Sequence, residues 1–216
     1  MKDYPYLKLK LIILISLVII FMTFNNHLSK RKIKIALSYA TDNKYIYPTI
    51  VSITSLVKNA KNNIFYNIYI LHTPDLTKDS KQFLKTVEDK NVYRCWIIFF
   101  NIGNKYKNLP LSFKLATPAY YRLSLQDLLL DIKKIIYLDG DTLIFEDLKE
   151  LIELDMKANV IMGFLDSIPT AIQSLGYTNA TVICSGVLLI DLDGLRKYGY
   201  SKKIEDFISK NRNKLI

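Results

Sequence analysis

The chain has 216 residues, half of them hydrophobic, with 15 Tyr and 10 Phe; this suits one folded domain with a sizeable core and excludes a disordered chain. A net charge of +10 points at first to nucleic acid. Its location argues against that class: residues 1–34 hold seven basic side chains (Lys2, Lys8, Lys10, Lys30, Arg31, Lys32, Lys34) against Asp3 alone, so most of the excess flanks an apolar segment, where a membrane surface explains it better.

That segment, residues 11–24, is uncharged and interrupted only by Ser16 and Thr23. With Leu7 and Leu9 before it, it reaches the lower limit for a spanning helix over residues 7–24. The expectation is an uncleaved signal-anchor in a tract of residues 1–32, with a cleaved secretory signal as the rival. The cluster Lys30-Arg31-Lys32-Lys34 would keep the following domain on the cytoplasmic face; a Golgi-type lumenal domain is the alternative in a eukaryote.

Residues 33–39 alternate as a first strand, followed by the polar loop Ala40-Thr41-Asp42-Asn43-Lys44-Tyr45 and a helix opening near Pro48. Strand, polar loop and helix open a nucleotide-binding α/β unit. No glycine fingerprint of a dinucleotide binder is present. Residues 65–72 form a second strand, Thr77 starts a helix, and residues 95–100 are expected as a third, fully buried strand. Residues 117–130 are read as a helix carrying Arg122, 146–154 as another, and 160–165 as a strand ending at Asp166. Residues 182–192 form a core strand interrupted by Gly186, and 195–208 a closing helix. Strands alternating with helices imply a mostly parallel sheet. Cys95 and Cys184 lie in apolar runs and are expected as buried free thiols. His27 and His72 are not ligand candidates, one being juxtamembrane and the other ending an apolar strand.

The stretch I-I-Y-L-D-G-D-T-L-I-F over residues 135–145 carries the chemistry. Two apolar runs flank two aspartates, and buried carboxylates need partners. Residues two apart in extended backbone point to one side, so Asp139 and Asp141 can converge on a divalent cation, with Gly140 admitting a ligand close to the backbone. Turn aspartates give the same short pattern.

Four ordered motifs settle between these. Ala40-Thr41-Asp42-x-x-Tyr45, Tyr121-Arg122-Leu123, Ile136-Tyr137-Leu138-Asp139-Gly140-Asp141 and Cys184-Ser185-Gly186-Val187-Leu188-Leu189-Ile190 together resemble family 8 of the glycosyltransferases, over about residues 33–208. The resemblance implies a GT-A fold, a Rossmann-like α/β domain with a mostly parallel mixed sheet flanked by helices. It implies transfer of glucose or galactose from a UDP-hexose to a glycan or lipopolysaccharide-type acceptor, with retention and with manganese or magnesium. On the same basis Asp139 and Asp141 would hold the metal, and the Ala40 backbone and Asp42 would contact uracil, with Thr41 and Tyr45 beside the nucleotide. Arg122 would approach the sugar or diphosphate, Asp166 would accept hydrogen bonds from sugar hydroxyls, and Ser185 would line the sugar pocket. Arg122 and Asp166 are the catalytic candidates.

Two positions depart from the family pattern, Lys44 and Cys184 standing where many members have asparagine. The family's later D-Q-D-type segment and its histidine-glycine-lysine stretch have no counterpart in residues 33–216, so the expectation is a C-terminally shortened domain. The rival function is a catalytically degenerate, membrane-tethered nucleotide-sugar-binding module; a nucleotidyltransferase is a weaker one, also using carboxylate-bound metal.

Overall fold

The computed structural model describes residues 14–20, 22, 32–109, 117–166 and 182–211. The chain divides into residues 1–33 and 34–216. In the first, residues 14–20 are helical and exposed. The rest of the expected span over residues 7–24 falls outside the described residues apart from Met22, and among those described no helix is long and apolar enough to cross a membrane. The membrane-spanning expectation is therefore unsupported.

Residues 34–216 contain a six-stranded sheet. In chain order the elements are β1 (Ile33–Thr41), α1 (Ile46–Asn59), β2 (Ile64–His72), α2 (Lys78–Lys90), β3 (Cys95–Asn101), a 3₁₀ helix (Thr117–Ser124) running into α3 (Leu125–Leu128), β4 (Lys134–Asp139), α4 (Lys149–Glu153), β5 (Ile161–Asp166), β6 (Val182–Asp191), α5 (Leu192–Lys197) and α6 (Tyr200–Asn211). The strand order is β3-β2-β1-β4-β6-β5. β1 runs parallel to β4, and β2 parallel to β3. β6 is antiparallel to both β4 and β5. The sheet is thus mixed, its reversal confined to the last strand to enter it.

The central strands read as near-continuous apolar runs because both faces are covered. Ile35, Leu37, Tyr39, Ile68, Ile70, Leu71, Ile135 and Ile136 are fully buried. α1 packs Ile53, Leu56 and Val57 inward. α2 starts where Thr77 accepts from the Ser80 amide at 3.1 Å, a cap that satisfies one of the helix's orphan donors. Thr77→Ala should cost about 1 kcal/mol, read as a lowered midpoint in urea; an unchanged midpoint would show that the cap contributes nothing.

Several elements differ from expectation, each for a local reason. β3 is an edge strand, not fully buried, and Trp96 is 57% exposed on its open face. The helix expected over residues 117–130 is a 3₁₀ turn followed by a single α turn. That over 146–154 shrinks to five residues, because the Asp147 carboxylate accepts from the Lys149 amide at 2.8 Å and defines a turn before the helix. The closing helix is two helices. The first starts early because Asp191 accepts from the Gly194 amide at 3.0 Å, and Gly199, at φ +64°, separates it from the second. Cys95 is a buried free thiol, pushed by that burial up to about 12, whereas Cys184 is only half-buried.

Candidate active site

The topology fixes where a ligand can sit. From β1 the chain moves outward through β2 and β3, then returns to β4 on β1's other side. Neighbouring strands whose continuations part in this way leave a crevice at their carboxyl ends, the usual ligand site of open α/β sheets. The register pairs Ala40 with Asp139, so the loop after β1 and the aspartate ending β4 emerge side by side. A cleft of about 180 Å³ opens there.

Its lining includes Ala40, Thr41, Asp42, Tyr45, Arg122, Asp139, Gly140 and Asp141, all expected from the sequence, together with Pro118, Ala119 and Tyr137, which were not. Ser185 and Asp166 are exposed and outside this lining. Both lie at the same sheet edge, since β5 shares the direction of β4, and β6, running the other way, begins there. Ser185 still belongs to the constellation, because its carbonyl accepts a hydrogen bond from the Arg122 guanidinium.

Arg122 is held on four sides. Its Nε donates to the Ala119 carbonyl at 2.8 Å and its Nη2 to Asp139 Oδ1 at 2.9 Å. The Ser185 carbonyl takes a third hydrogen bond. The guanidinium also lies 4.2 Å from the centroid of the Tyr137 ring, within cation–π range. The arginine side chain is 11% exposed and the aspartate 37%, so the pair is partly shielded from screening by solvent. Tyr137 is itself buried, and its hydroxyl donates to the same Oδ1 at 2.9 Å. Burial pushes its phenol well above the ordinary tyrosine range, so the hydroxyl stays a donor. The signal for Tyr137 was present in the sequence: it lies two residues before Asp139 and therefore on the same face.

The loop after β1 is pinned equally firmly. Asp42 Oδ1 accepts from the amides of Lys44 at 2.9 Å and Tyr45 at 3.0 Å, which leads the chain into α1. Its turn-forming and cleft-lining roles coexist. Asn43, which sequence reasoning passed over, donates to the Asp75 carbonyl at 3.0 Å, and its Oδ1 accepts from the Thr77 amide at 3.1 Å. This ties the cleft loop to the start of α2.

The glycines serve close packing. A Cβ at Gly140 would lie 2.5 Å from Thr49 Oγ1 of α1. Gly140 lines the cleft as expected, and its missing side chain also lets α1 pack closely against the end of β4. A Cβ at Gly186 would lie 3.0 Å from Asp139 Oδ2, so this strand glycine makes room for the carboxylate.

Asp139 has one oxygen engaged by Tyr137 and Arg122, and its Oδ2 lies over Gly186. Asp141 is exposed in the same cleft. Among the described residues no group of three or more His, Cys, Asp or Glu side chains gathers. Two carboxylates suit a hard cation that completes its shell with substrate phosphate oxygens, as magnesium and manganese do.

A mixed, mostly parallel sheet with a polar cleft at its switch point, Asp139 ending the strand there and Asp141 two residues on, is the arrangement of a GT-A-like glycosyltransferase fold. The chain matches the model of glycosyl transferase family 8 over residues 36–216 and belongs to that family. General stress protein A of Bacillus subtilis is 32% identical over 114 residues, covering 50% of this chain and 39% of that protein. The galactosyltransferase LgtC, solved in complex with donor and acceptor sugar analogs, superposes with a TM-score of 0.70 at 19% identity, over 84% of this chain and 66% of that one. The glycosyltransferase GlyE of Streptococcus pneumoniae TIGR4 gives 0.59 at 20% identity, over 83% of this chain and 40% of that one. At these identities the solved structures show the fold. The chain spans between 39% and 57% of the length of the curated relatives it matches.

Proposed function

We propose that the protein transfers a hexose, glucose or galactose, from a UDP-sugar to a glycan acceptor with retention at the anomeric carbon. The observation that carries this reading is the β1–β4 register, which places the Ala40–Tyr45 loop and the Asp139–Asp141 pair in one cleft. A nucleoside diphosphate would lie there with its base at the loop and its phosphates at the carboxylates.

In this reading the Ala40 backbone and Asp42 receive the uracil, and Tyr45 packs beside the nucleotide. Asp139 and Asp141 would hold manganese or magnesium, which would supply Lewis-acid stabilisation of the leaving diphosphate. The Arg122 guanidinium stands beside these carboxylates, and its planar fork suits phosphate or sugar oxygens. Asp166 and Ser185, at the same sheet edge, face the sugar side, where Asp166 accepts from hydroxyls. LgtC, which shares this fold, was solved with donor and acceptor sugar analogs bound.

Calorimetric titration of the full chain with UDP tests the reading. Binding is expected in the presence of manganese and lost on chelation, with UDP released on incubation with UDP-glucose or UDP-galactose and an acceptor glycan. No UDP binding with manganese present would sink the proposal. Binding without donor turnover would favour the nucleotide-sugar-binding module instead.

A further inference from the structure

Tyr137 is a buried tyrosine in the interior of β4. A phenylalanine would fill the same volume, and burying an unpaired hydroxyl is costly. The hydroxyl is retained in an arrangement where it donates to Asp139 Oδ1 at 2.9 Å, two residues along the same strand face. The ring carries a second function, since the Arg122 guanidinium rests 4.2 Å from its centroid and reaches the same oxygen. One aromatic side chain therefore supports both groups that engage Oδ1. On the other side, Gly186 leaves room for Oδ2, where a methyl group would stand 3.0 Å away. The carboxylate is thus fixed in rotation, with Oδ1 tied down and Oδ2 over Gly186.

We propose that Tyr137 is the positioning residue of the donor site: its hydroxyl fixes the rotation of the Asp139 carboxylate so that Oδ2 would be available to a divalent cation held with Asp141. This rests on the metal-dependent UDP-sugar reading above. Ligand carboxylates held by hydrogen-bonded partners bind metal more tightly than free ones, and removing such a partner typically costs 10–100-fold in metal affinity. The Tyr137 hydroxyl is engaged by Asp139 Oδ1, so deleting it while keeping the ring acts through that carboxylate.

The test is Tyr137→Phe in the full chain, which keeps the ring beneath Arg122 and deletes the hydroxyl. Manganese is titrated at saturating UDP and followed by the loss of its free-ion paramagnetic resonance signal. Uridine, which carries no phosphate, is titrated separately as a probe of the base pocket. The expected result is a manganese affinity reduced about tenfold with unchanged uridine affinity. Equal losses for both ligands would mark a general structural effect and overturn the proposal, as would an unchanged manganese affinity. If the wild-type chain shows no manganese-dependent UDP binding, the functional reading itself has failed, a result distinct from a failure of the variant alone. Should Tyr137→Phe not fold, Gly186→Ala perturbs the same carboxylate from its Oδ2 side: a similar selective loss supports the proposal, and unaltered manganese affinity overturns it.

Discussion

Asp139→Asn is expected to reduce manganese-dependent UDP binding at least about 100-fold, equivalent to about 2.7 kcal/mol, while leaving a folded protein. Asparagine keeps an oxygen that can accept from the Tyr137 hydroxyl and Arg122, whose bonds to Asp139 Oδ1 are both 2.9 Å, but it removes the charge a cation requires. The stability cost should be about 1 kcal/mol, moderated by the 37% exposure of the aspartate. Asp139→Ala is different. It leaves the Arg122 side chain, 11% exposed, without its counter-ion and the Tyr137 hydroxyl without its acceptor, and should destabilise the fold by about 2–3 kcal/mol. Asp141→Asn, at an exposed position, should lose UDP binding at a stability change within about 0.5 kcal/mol. Calorimetry with UDP and manganese, run beside urea unfolding, separates these effects. UDP affinity left intact in both asparagine variants would remove the two carboxylates from the mechanism.

Gly140→Ala is expected to be the most destabilising single methyl in the site. The added carbon would stand 2.5 Å from Thr49 Oγ1, well inside van der Waals contact. Thr49 cannot yield freely, since it is fully buried, donates to the Tyr45 carbonyl at 2.8 Å and is bonded to Thr41 Oγ1 at 3.1 Å. Overpacking of this kind costs about 1–3 kcal/mol, and the upper end is expected here because relief would break a hydrogen bond as well. For a chain of this size, that is a fall in Tm of roughly 5–10 °C. Because Thr41 and Tyr45 line the cleft, the displacement should also weaken UDP binding. In a Thr49→Ala background the collision is with a hydroxyl no longer present, so Gly140→Ala should cost much less there. Additive costs in that cycle would show that the hydroxyl is not the obstacle.

Much of the site could be read from the chain because its residues follow local rules. Asp139 ends an apolar strand, Asp42 follows another, and a parity of two assigns Asp139 its face. The same parity would have found Tyr137, had the apolar run not disguised its hydroxyl. What local rules do not supply is which groups meet across strands. Arg122 reads as one polar residue in a short helical stretch, and its hold on Asp139 and on the Ser185 carbonyl depends on β4 and β6 being neighbours. The close approach of α1 to Gly140 was hidden for the same reason, since only the packing of α1 against the end of β4 reveals Thr49. β3 was read as fully buried because its composition is that of a core strand, whereas exposure depends on position in the sheet, and β3 lies at the edge.

The sequence by itself determined the alternation of strands and helices, the two aspartates at a strand end and the kinship with a nucleotide-sugar transferase family, since each rests on residue type at fixed spacing. The tertiary structure alone decided that Asp139 gives one oxygen to Tyr137 and Arg122 and leaves the other over Gly186. That division requires residues 122, 139 and 186 to converge within hydrogen-bond and van der Waals distance. Strand order, unlike spacing, is set by the burial of whole faces and not by any one stretch of chain.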